Sequence, residues 1–187
     1  LQIEAMAHVL VYSIMMYGFV RRLTIGKSGG VFGAFVAAVV AAYGGFITGY
    51  PPLQLALLEA GIWLPLAALG IHEATQRGIV RWRWLALTGF ALGFSWMAGH
   101  PQTSFFLTYL LVAYYAYCIG SHRLGWRKFV IGTALFGLIT LGVTAVTFLP
   151  GVEYLSLATR SGMGFEAKAN GFPFQDITQF VLPGSVS

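Results

Sequence analysis

Six apolar runs, joined by connections that alternate between basic and uncharged, constrain this chain more than any other feature. The runs cover residues 3–20, 30–49, 53–72, 83–99, 102–120 and 129–150. A bilayer's hydrocarbon core takes about 20 apolar residues in helical form, and each run approaches that length. The runs are apolar on most faces, unlike the one-sided stripe of a surface helix. They lack the short alternating strands of a membrane barrel. With 57% hydrophobic and 9% charged residues, the chain falls far below the roughly 25% charge of a soluble domain. The expected fold is therefore all-α: a polytopic membrane helix bundle of about six transmembrane helices over residues 1–150. An extracytoplasmic loop, or the start of a further region, is expected over 151–187.

The chain opens inside an apolar run and closes in a polar stretch, so it reads as an internal piece of a longer polypeptide. It shows no basic, apolar and small-residue signal-peptide pattern. Cys118 is the only cysteine, which excludes an internal disulfide and a cysteine metal site.

The net charge of +5 is distributed by topology. Nine of the eleven Lys and Arg residues fall in three clusters: Arg21, Arg22 and Lys27; Arg77, Arg81 and Arg83; Arg123, Arg127 and Lys128. These clusters sit between apolar runs, which argues against a nucleic-acid partner. The connections at Tyr50–Pro52 and Gly99–Pro101 carry no charge. Positive charge marks the cytoplasmic side. The three basic connections are thus expected inside, and the two uncharged turns, the N-terminus and the 151–187 segment outside.

Gly26, Gly30, Gly45, Gly49, Gly89 and Gly93 supply small-xxx-small spacings suited to close helix approach within one bundle. Pro65 should kink the third span, because it lacks a backbone donor. The "GKS" at 26–28 is similar to the end of a phosphate loop, but Arg21 stands where the motif needs glycine.

Polar residues inside apolar runs need partners or water. Glu59 lies seven residues after Pro52, about 10 Å below the outer end of its helix. It is either a protonated acid bonded to a neighbouring helix or part of a cavity open to the outside. His8 reads as a packing histidine, and Glu4 as an interfacial residue. His100 falls in an outer turn, "AGHPQT", where Pro101 favours the start of a helix and Gln102 occupies its first turn. His100 and Gln102 can cap that helix, or His100 can hold an anionic phosphate at its N-terminus. Glu153, Tyr154 and Arg160 follow the sixth run, and Arg160 is the only arginine expected outside. Its planar fork suits a phosphate. No compact ligand cluster marks a metal site, and the residues leave open which cofactor, if any, is used.

"MAGHPQTSFF" and "FLPGVEYLSLATRSG" together resemble the bacterial YfhO-like family of multi-pass membrane proteins. "RRLTIGKSGGVFGAFVAAVVAAYGGFITG", "GIWLPLAAL" and "FPFQDITQFVLPG" fit the same family in the same order, so the resemblance covers nearly the whole chain. That family is similar to GT-C glycosyltransferases of the bacterial cytoplasmic membrane. The resemblance implies transfer of sugar from a polyprenyl-phosphate carrier to a cell-envelope acceptor on the extracytoplasmic face. It implies substrate-binding positions at His100, Gln102, Glu153, Tyr154 and Arg160. His100 and Arg160 would hold the carrier phosphate, Glu153 would orient a hydroxyl or pair with Arg160, and Tyr154 would form part of a sugar or lipid platform. Such enzymes carry a catalytic acid in an external loop after their first span. The chain is expected to begin after that loop, so no catalytic residue is assigned to it, and Glu4 does not fill the role.

Two other readings compete. A transporter or flippase would use Glu59 and His8 along a continuous polar path. A non-catalytic membrane subunit would have its external motifs fully packed.

Overall fold

The computed structural model of the chain describes residues 2–49 and 54–157. Among the described residues eight α-helices follow one another: α1 (Gln2–Leu23), α2 (Gly30–Tyr43), α3 (Gly45–Thr48), α4 (Leu55–Gly61), α5 (Leu64–Thr75), α6 (Trp82–Met97), α7 (Pro101–Ser121) and α8 (Trp126–Leu157). No strand occurs among the described residues. The fold is all-helical, with four helical stretches long and apolar enough to cross a membrane: Ile3–Leu23, Leu55–Thr75, Pro101–Ser121 and Trp126–Tyr154. Phe32, Phe106, Leu138 and Val146 each expose more than half of their surface. A surface of this kind suits lipid, not water.

The expected second and fourth spans are shorter than their apolar runs. The 30–49 run breaks at Gly44, whose extended backbone separates α2 from the single turn of α3. The 14 residues of α2 rise only about 21 Å. The fourth run folds as the 16 residues of α6, about 24 Å. It stops before Gly99, which turns the chain at φ 79°.

Proline explains the third run. Its ring clashes with the carbonyl four residues earlier. That residue is Gly61, where α4 ends, and α5 restarts at Leu64 with Pro65 in its first turn. The chain yields here as a break at Ile62–Trp63, slightly ahead of the proline itself.

The chain divides into two compact units, Leu1–Phe148 and Leu149–Ser187, so α8 begins in the first and ends in the second. In the first unit α1 packs on α2 and α5, while α5 packs on α6 and α7. Ile71, Ala74, Leu85, Leu92, Leu111 and Tyr115 belong to one buried cluster. Tyr115 is fully buried, and its hydroxyl donates to the Lys128 carbonyl at 2.9 Å, fixing the start of α8 against α7.

Small residues allow the closest approaches. A Cβ on Gly89 would lie 2.7 Å from the Phe136 carbonyl oxygen, and one on Gly93 would lie 2.7 Å from the Val143 Cβ. Gly89 and Gly93 therefore bring α6 against α8 within one bundle. Gly45, by contrast, faces open space. Gly70 has the same function between α5 and α6, where Thr88 Oγ1 donates to the Ala67 carbonyl at 3.1 Å.

Candidate functional site

Both ends of the first unit carry polar groups, and they are built differently. At one end, α5 finishes at Thr75, and Gly78, at φ 71°, turns the chain back. The return brings Arg81 to Glu73: its Nη2 is 3.0 Å from Glu73 Oε2 and also donates to the Glu73 carbonyl. From the end of α1, Arg22 Nε donates to Glu73 Oε1 at 2.6 Å, and its Nη2 is 2.5 Å from the same oxygen. Glu73 is only 3% exposed, whereas Arg22 is 47% exposed. His72 and Gln76 stand beside the cluster, with the Gln76 amide nitrogen 3.1 Å from His72 Nε2. These residues line a cavity of about 380 Å³.

A buried carboxylate survives where charges and hydrogen bonds satisfy it. Both oxygens of Glu73 are engaged, so the group is a clasp between two basic connections, not a free general base. The expected site residues did not include it. One signal stood in the sequence: Glu73 is the only acidic residue in any of the three basic connections.

At the opposite end, His100 is the N-cap of α7. Its Nδ1 accepts from the Thr103 backbone N–H at 3.4 Å and lies 2.8 Å from the Thr103 hydroxyl. Pro101 begins the helix, and Gln102 is exposed on its first turn. One turn further on, Ser104 Oγ donates to the Ser95 carbonyl at 2.9 Å, and Trp96 Nε1 donates to Thr108 Oγ1 at 3.2 Å. These bonds tie α6 and α7 into a hairpin. The capping function thus has direct geometric support. His100→Ala is expected to cost about 1 kcal/mol in thermal unfolding, and His100→Asn, which can also cap, should recover most of it.

Next to this turn lies a cavity of about 590 Å³. Its walls include Tyr12 of α1, Val40 of α2, Leu57 and Gly61 of α4, and Thr103 and Phe106 of α7. Gly44, where α2 ends, and Leu64, which with Gly61 flanks Ile62–Trp63, also line it. Thr103, the partner of His100, and Tyr12 are its polar lining residues.

The other expected residues fall in different places. Glu59 is half-buried on α4. His8 Nδ1 is 2.8 Å from the Glu4 carbonyl, one turn back on α1. Glu153 and Tyr154 are exposed neighbours on the last turns of α8, in the second unit. Arg160 lies outside the described residues, as do the rest of 158–187 and the Tyr50–Pro52 turn. His100 and Gln102 therefore share one turn, and Glu153 and Tyr154 share another. Compared with protein-family models, with curated proteins and with solved structures, the chain matches none.

Proposed function

We propose that this chain is the membrane-embedded part of an enzyme that takes sugar from a polyprenyl-phosphate carrier and passes it to a cell-envelope acceptor. On this reading it crosses the bacterial cytoplasmic membrane six times, through α1, α2–α3, α4–α5, α6, α7 and α8. The basic connections lie inside, and the His100 turn and the 151–187 segment outside. The reaction class comes from the resemblance to YfhO-like proteins. The return crossing through α2–α3 is supported by Glu73, because its bonds to Arg22 and Arg81 put the ends of α1 and α5 at one end of the bundle. Helices that end together run in the same direction, and in a bilayer the chain between them must cross back.

The observation that carries the functional reading is the cavity beside His100. Its apolar walls suit a polyprenyl chain, and Thr103, which bonds to His100, gives it a polar group that a carrier phosphate could use. A path for polar cargo has less support. The buried hydroxyls of Thr75, Thr88, Thr140 and Thr144 each donate to helix carbonyls.

Gly61 lines the cavity, and a Cβ built on it meets nothing within 4 Å. Gly61→Trp should therefore fill the space without displacing the backbone. In the full-length protein it is expected to weaken polyprenyl-phosphate binding at least about tenfold, since displaced apolar contact of this size is worth more than about 1.4 kcal/mol. Binding equal to that of the unmodified protein would remove the cavity from the carrier site.

A further inference from the structure

We infer that the groove between α1 and α2 seats one anionic phospholipid, its phosphate at Arg21 and Lys27 and an acyl chain running towards Leu10. This site is distinct from the cavity beside His100, and the inference does not depend on sugar transfer. Two adjoining cavities form the groove. One, of about 650 Å³, is lined by Arg21, Lys27, Tyr17 and Phe35. The other, of about 420 Å³, is lined by Leu10, Ile14, Val39 and again Tyr17 and Phe35. The shared aromatic pair makes them one channel, cationic at one end and apolar along the rest.

Charge selects the occupant's head. Successive residues on a helix point about 100° apart. Arg22 turns to Glu73, and Arg21 instead lines the groove. Among the described residues, neither Arg21 nor Lys27 pairs with a carboxylate. Gly29 and Gly30, at the start of α2, also line the cationic end, where the helix dipole adds to the positive potential.

Length selects the tail. Arg21 to Leu10 spans eleven residues of helix, about 16 Å. That is about half of a 30 Å hydrocarbon core, hence one leaflet. The basic connections would place this in the leaflet where juxtamembrane Lys and Arg attract anionic lipid. A soluble anion would use the head of the groove and leave its apolar length empty.

The test uses the full chain in neutral detergent, with lipid retention read by native mass spectrometry. Phosphatidylglycerol, phosphatidylcholine and inorganic phosphate are the probes. The expected result is one retained phosphatidylglycerol, bound about tenfold more tightly than phosphatidylcholine. Arg21→Gln/Lys27→Gln should abolish that preference, and Arg21→Lys should keep it. Val39→Trp should weaken both lipids, because it fills the tail end. Equal retention of the two lipids by the unmodified chain would overturn the inference. So would a preference that survives the double substitution, or displacement of the lipid by millimolar phosphate, which would mark a free-anion site. The comparison of lipids on the unmodified chain decides the matter even if a variant does not fold.

Discussion

Glu73→Ala is expected to destabilise the bundle by about 2–3 kcal/mol, read as the shift in unfolding in detergent or nanodiscs. Removing one partner of a buried ion pair costs roughly 3–5 kcal/mol, because the remaining charge is left without compensation. Here the figure falls below that range. Arg22 is 47% exposed and can turn to water or lipid headgroups. Arg81 cannot escape so easily: it is 26% exposed, and its Nε is buried without a hydrogen-bond partner. Two further variants separate charge from packing. Glu73→Gln keeps one acceptor oxygen and should lose less. Replacing Arg22, Glu73 and Arg81 together by methionine should recover most of the loss, since it removes the charges as a set. If Glu73→Ala unfolds like the unmodified chain, the clasp contributes nothing to stability.

Gly89→Leu is expected to cost at least about 3 kcal/mol in the same measurement. Overpacking a close interface usually costs about 1–3 kcal/mol, and more when backbone must move. At Gly89 the obstacle is backbone: a Cβ would lie 2.7 Å from the Phe136 carbonyl and 2.8 Å from the Ile139 Cβ. The substitution would also part the Gly89 carbonyl from Thr140 Oγ1, which donates to it at 3.1 Å. Gly142→Leu is the matched control, because its Cβ would meet nothing within 4 Å. It should change stability by less than about 0.5 kcal/mol.

The helical class was legible because lipid demands it: every backbone polar group must be satisfied inside its own segment. The hairpin at His100 was also legible, since glycine, a capping side chain and proline stand in consecutive positions. The shortness of the second and fourth spans and the interruption of the third were less so. Hydropathy runs straight through Gly44 and through Ile62–Trp63, whereas the backbone does not. Glu73 was the larger omission. At the edge of a basic connection it looks like one more interfacial charge. Its burial depends on Arg22, 51 residues away, and no local pattern encodes a contact of that range. The cavity beside His100 has the same character. Its lining gathers residues of α1, α2, α4 and α7, which are distant in sequence.

The Glu73 clasp also bears on orientation. A four-crossing chain, with α2 and α6 lying outside the hydrocarbon, would put the 24–29 and 76–81 connections on opposite sides of the membrane. The six-crossing chain puts them on one side. Single cysteines introduced into a Cys118→Ser background at Lys27, Gln54, Ile79 and Gln102, all exposed positions, distinguish the two. The cells are labelled with a membrane-impermeant maleimide. Six crossings predict that Gln54→Cys and Gln102→Cys react from outside and that Lys27→Cys and Ile79→Cys react only after the membrane is opened. Reaction of Ile79→Cys from outside, with Gln54→Cys protected, would contradict the account. It would also move the cavity beside His100 out of a common outer face.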